Sequence, residues 1–272
     1  MMQFGLNHMT APHLNARDLL SLAAGLGCTG VEFRNDLDGA LFQGETAEDI
    51  GAAARAANLR ILALSEVKAF NSNARDALPA ALALMQSASA CGAEGVALIP
   101  QVANAPIPRA EHRHMLRAAL ETLLPPLEAH GLTGLIEPLG FANSTLRFKE
   151  DVVSVLNDMN RPACFGIVHD TFHHHLSGED DVYADATALV HVSGVTNPAL
   201  SAEEMTDAHR VLVDADDRLG NLTQLRALRA AGYDGPVSFE AFAPEIHQMI
   251  RPAKALARSK EFITSHLARR AA

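Results

Sequence analysis

The feature that most constrains this chain is a rhythm. Short apolar runs alternate along its whole length with longer stretches of helical periodicity. The runs, read as strands, are Gln3–Asn7, Gly30–Phe33, Arg60–Leu64, Gly95–Ile99, Thr133–Ile136, Phe165–Val168, Leu189–Val192 and Pro236–Phe239. Helices are predicted between them over Ala16–Leu26, Ala47–Ala57, Arg75–Cys91, Arg109–His130, Lys149–Asn157, Leu222–Ala231 and Pro244–Leu267, with a short one near Asp180–Thr187. Asn15 and Thr46 stand where helix caps belong, and Gly27, Gly92, Gly131 and Gly232 stand where helices should stop. Strict alternation of this kind demands parallel strands joined by right-handed crossovers. Eight such units of roughly 30 residues match a closed (β/α)8 TIM barrel. The expectation is therefore an α/β fold with residues 1–272 as one barrel domain. An open doubly wound sheet is the alternative, but no G-x-G-x-x-G follows the first run.

Composition narrows the partners. A net charge of −10 and the lack of a Lys/Arg stripe argue against nucleic acid, which needs clustered cations to displace counterions. No uncharged apolar stretch of about 18 residues is present, so no membrane span is expected. The segment MMQFGLNHMT does not read as a signal peptide. Cys28, Cys91 and Cys164 are scattered and odd in number, which fits a reducing, cytoplasmic setting better than a disulfide framework. Barrel helices often pair, so a homo-oligomer stays open, although no interface is legible.

In a barrel of this type, chemistry sits at the C-terminal ends of the strands. Four consecutive strand ends offer Glu137, Asp170, His191 and Glu240. Each has an ordinary reading: a strand-end carboxylate paired to an Arg, a helix cap, a core imidazole. Four on adjacent strands point instead to one divalent ion, with hard oxygens and one imidazole suiting Mn2+, Mg2+, Co2+ or Zn2+. Asp170 opens the tract Asp170-Thr171-Phe172-His173-His174-His175; His173, one turn on, can lean back toward Asp170 as a substrate contact, while His174 and His175 read as surface groups. Arg210 is a candidate clamp for a substrate oxygen, and Glu32 and Lys68 are further candidate substrate contacts at the ends of the second and third strands.

These ligands, together with the Asp170-x-x-His173 spacing, resemble the xylose isomerase-like TIM barrel superfamily of sugar isomerases and epimerases. The resemblance spans nearly the whole chain and is nearest to the 2-keto-myo-inositol isomerases of inositol catabolism. The stretches that carry it are Gly30-Val31-Glu32-Phe33-Arg34, Leu62-Ala63-Leu64, Phe70-Asn71, Gly166 to His173 and Val237 to Glu245. It implies that Glu137, Asp170, His191 and Glu240 ligate the metal, that Glu137 and Glu240 double as acid/base groups, and that His173 and Arg210 lie near the substrate. The expected reaction is isomerisation of a keto-polyol or sugar by proton transfer through a metal-bound enediolate. A sugar 3-epimerase, an inosose dehydratase and a sugar-binding module with a structural metal are the alternatives. A DNA-repair endonuclease of the same superfamily needs His at the third and fourth strand ends, where this chain has Ser65 and Pro100.

Overall fold

The computed structural model describes residues 2–103 and 108–268. Its strands are β1 (Gln3–Asn7), β2 (Gly30–Arg34), β3 (Arg60–Lys68), β4 (Gly95–Ile99), β5 (Thr133–Ile136), β6 (Phe165–Asp170), β7 (Thr187–Val192) and β8 (Pro236–Phe239). They pair in chain order, all parallel, and β8 closes on β1 through Gln3↔Pro236 to Leu6↔Phe239. The α/β barrel expected from the alternation is thus the fold. Around it lie α1 (Ala16–Gly25), α2 (Ala47–Ala56), α3 (Ala74–Cys91), α4 (Arg109–His130), α5 (Lys149–Asp158), α6 (Thr171–Ser177), α7 (Asn221–Ala230), α8 (Pro244–His247) and α9 (Ala253–Ala268).

Local chemistry sets the helix ends. The Asn15 side chain accepts from Asp18 N, and Thr46 accepts from Asp49 N, filling donors that the first turn leaves free. Gly92 and Gly131 end α3 and α4 in the left-handed conformation, at φ 75° and 64°. Two expectations are corrected. No helix forms at Asp180–Thr187; α6 starts directly after β6, because the Asp170 side chain caps it, and stops at Gly178. The helix expected over Pro244–Leu267 is two, α8 and α9, because Pro252 disfavours helical backbone at Arg251.

Two apolar layers hold the barrel. Outside, the helices pack on the sheet through residues such as Leu19, Ile50, Met85, Leu120, Leu225 and Ile263. A separate cluster of Leu62, Ala63, Leu135, Val168 and Leu189 is buried apart from that outer layer. Among the described residues, no helix is long and apolar enough to cross a membrane.

Candidate metal centre

Glu137 extends β5 by one residue, its N–H donating to Leu98 O, and Glu240 extends β8, its N–H donating to Val192 O. Asp170 ends β6, and His191 lies one residue from the end of β7. Strand pairing therefore carries all four side chains to one rim. They are buried, and one ligand atom from each lies within 4.8 Å of the others. His191 Nδ1 stands 3.3 Å from Glu240 Oε2, 3.5 Å from Glu137 Oε1 and 3.9 Å from Asp170 Oδ2. On the far side of the ring, Nε2 donates to Glu32 Oε2 at 3.0 Å. Nδ1 has no hydrogen-bond partner among the described residues. A buried imidazole nitrogen aimed at three carboxylates, with its opposite nitrogen tied up, is a donor arrangement that could hold a divalent cation.

The electrostatics agree. Burial pushes the Glu137 carboxyl up to about 7, with the neighbouring Glu240 and Asp170 adding to the rise against His191. Burial also raises Asp170, against the pull of Arg210. For Glu240, burial is outweighed by His191, Arg210 and Arg34, which hold it well below the usual carboxylate range. Burial disfavours a charged His191, yet Glu240, Glu32 and Glu137 hold its protonated form well above the ordinary imidazole range. Arg210, Arg34 and the His191 proton balance these carboxylates here, and a divalent ion could replace the proton at Nδ1.

The remaining predicted residues divide. Arg210 is 1% exposed and spans the cluster: Nη2 donates to Asp170 Oδ2 and, at 2.8 Å, to Glu240 Oε2, while Nε donates to Ser193 Oγ. Its charge is directed at two of the clustered carboxylates. His173 is buried against Phe141 and Phe172, with ring centroids 5.1 and 5.2 Å away. Burial, then the Arg210 charge, push it down to about 3, so it is a neutral imidazole. Glu32 lies behind His191, away from the Nδ1 side. Lys68 ends β3 exposed to solvent. His174 is not a free surface group, because its Nδ1 accepts from Lys149 at 2.8 Å.

Two residues at the same rim escaped the sequence reading. Asn7 Nδ2 donates to Glu240 Oε1 at 3.2 Å, and Arg34 Nη1 donates to the same oxygen at 2.9 Å. Both stand at strand ends, β1 and β2, and that position was the available signal.

The profile of the xylose isomerase-like TIM barrel family matches residues 20–266. A xylose isomerase domain containing protein from Salmonella typhimurium LT2 is 25% identical, with a TM-score of 0.89 and 98% of each chain covered. The IolI protein, whose crystal structure has a bound zinc atom, is 20% identical, with a TM-score of 0.85 and 98% of each chain covered. An L-ribulose 3-epimerase is 18% identical, with a TM-score of 0.73 over 98% of this chain and 95% of its own. At these identities the last two speak for the fold alone. No curated protein matches the chain.

Proposed function

From the premise that this chain belongs to the xylose isomerase-like TIM barrel family, we propose that it is a divalent-metal-dependent isomerase of a keto-polyol or sugar, of the 2-keto-myo-inositol type. The observation that carries the reading is the convergence of Glu137, Asp170, His191 and Glu240 around an unpartnered imidazole nitrogen. Those four residues would hold the ion, which is Mn2+, Mg2+, Co2+ or Zn2+ by donor chemistry. When bound, it supplies Lewis-acid polarisation of a substrate carbonyl and so acidifies the adjacent C–H.

The chain's own residues do the rest. Glu137 and Glu240 come from different strands, β5 and β8, and are the two groups assigned to proton transfer. One, ionised, takes and keeps the proton from carbon, and the other, protonated, gives its own proton to the neighbouring carbon. Return to the opposite face of the same carbon would make the reaction an epimerisation. Glu240 is fixed for this work by donors on both oxygens: Asn7 and Arg34 on Oε1, Arg210 on Oε2. Arg210 is assigned the role of stabilising an oxygen that gains charge as the proton leaves. The dehydratase alternative needs an acid for a departing hydroxyl. His173 is a neutral imidazole with little proton to give, and His169 is tied to Lys149 and Gln224.

The test is to load the protein with each ion in turn, add a panel of keto-inositols and ketoses in D2O, and follow C–H exchange by NMR. Exchange with isomer formation is expected, and Glu240→Gln should abolish it. Loss of water would instead assign a dehydratase. Sugar binding with neither reaction would assign a binding module with a structural ion, and a fully active Glu240→Gln would remove that residue from its role.

A further inference from the structure

Glu32 was expected at the substrate. Its carboxylate is 1% exposed, Oε2 accepts from His191 Nε2 at 3.0 Å, and Oε1 has no hydrogen-bond partner among the described residues. Its one direct bond is therefore to the far nitrogen of a proposed ligand. Burying a carboxylate for a single bond is costly, and packing alone would be better served by an apolar side chain. The bond fixes what an imidazole otherwise leaves open. With the proton held on Nε2, the lone pair is on Nδ1, which is the atom facing Glu137, Asp170 and Glu240. β2 places Glu32 there because Asn7↔Glu32 pairing sets its height beside β1, while His191↔Ser238 pairing sets the height of the imidazole beside β8.

We infer that Glu32 is a positioning residue of the metal centre: it holds His191 in the tautomer and orientation that present Nδ1 to the cation. The inference rests on the metal-centre reading above. Outer partners of this kind set ligand orientation and basicity, and removing one typically lowers metal affinity about 10–100-fold.

The experiment measures Zn2+ affinity by competition with a chromophoric chelator for the wild type, Glu32→Gln, Glu32→Leu and His191→Ala. The His191 tautomer of the Zn2+-loaded protein is read by 15N NMR, and apo stability by urea unfolding. The wild type should show the Nε2–H tautomer. Glu32→Leu should lose about 10–100-fold in affinity without loss of apo stability. Glu32→Gln, whose amide oxygen can still accept from Nε2–H, should lose less than Glu32→Leu. Wild-type affinity in Glu32→Leu, or an Nδ1–H tautomer in the loaded wild type, overturns the inference. If Glu32→Leu fails to fold, the wild-type tautomer and the Glu32→Gln affinity still decide it. Wild-type affinity in His191→Ala overturns the metal centre itself, so the two failures are distinct.

Discussion

Asp170 divides its work between its two oxygens. Oδ1 accepts from the N–H groups of Phe172 and His173 at 2.7 and 2.9 Å and starts α6, while Oδ2 faces Arg210 and the His191 side of the cluster. The cap read from sequence is filled by Oδ1, and Oδ2 is left for the proposed ligand role, so the two need not compete. Asp170→Asn keeps an acceptor at the cap but loses the anion. It should lose cation affinity while the Phe172 and His173 amides stay protected from hydrogen exchange. Asp170→Ala should lose both, with exchange of those amides faster by about fivefold, since a cap of this kind is worth about 1 kcal/mol. Equal exchange in the two variants would separate the cap from the site. Strand-end position was enough to nominate Glu137, Asp170, His191 and Glu240, because the C-terminal strand ends of such a barrel meet at one rim. It did not reveal the bearing of Glu32 or the exposure of Lys68, which depend on what stands across the barrel.

At the level of elements, the polar pin between α5, β6 and α6 was invisible in the sequence. The N-cap position of α5, Phe148, has no side-chain acceptor, and Glu179 supplies one from beyond α6, accepting from Lys149 N and Glu150 N at 2.9 and 3.0 Å. The Lys149 ammonium then donates to Nδ1 of His169 and of His174, and Gln224 Oε1 accepts from His169 Nε2. Burial of this lysine, only partly offset by Glu179 and Asp181, pulls it from 10.5 to about 8. Between those values the unfolded chain binds more protons than the folded one. The contribution of Lys149 to stability therefore rises with pH through that window and is smallest below about 8. Lys149→Met removes the titration. Urea unfolding at pH 7.5 and 9.5 should show the stability difference shifting toward the wild type by about 2 kcal/mol at the higher pH. A constant difference would mean the ammonium is not desolvated. Loop packing gives a second test. A Cβ on Gly140 would collide with the His173 carbonyl oxygen and stand 2.7 Å from Leu176 Cβ. Gly140→Ala should therefore destabilise the fold by about 1–3 kcal/mol in the same assay.

For the whole molecule, the proposed ion would link to stability by mass action, because four strands must be in register before Glu137, Asp170, His191 and Glu240 meet. An ion bound only by the folded barrel at 100 times its Kd adds about 2.7 kcal/mol. Differential scanning calorimetry should show Tm rising with Zn2+, falling back with a chelator, and insensitive to Zn2+ in His191→Ala. A zinc response retained in that variant would place the ion elsewhere. The barrel, the strand-end placement of Glu137, Asp170, His191 and Glu240, and the acidic character of the rim followed from the chain read alone, because periodicity of apolar residues is a local property. The split at Pro252 was legible too, yet a long amphipathic run masked it. Long-range contact decided the rest: Arg34 and Asn7 on Glu240, Arg210 across two carboxylates, and Glu32 behind His191. Their partners lie from 30 to 233 residues away in the chain, and the pairing of neighbouring strands, completed by closure of β8 onto β1, brings such distant groups within hydrogen-bond reach.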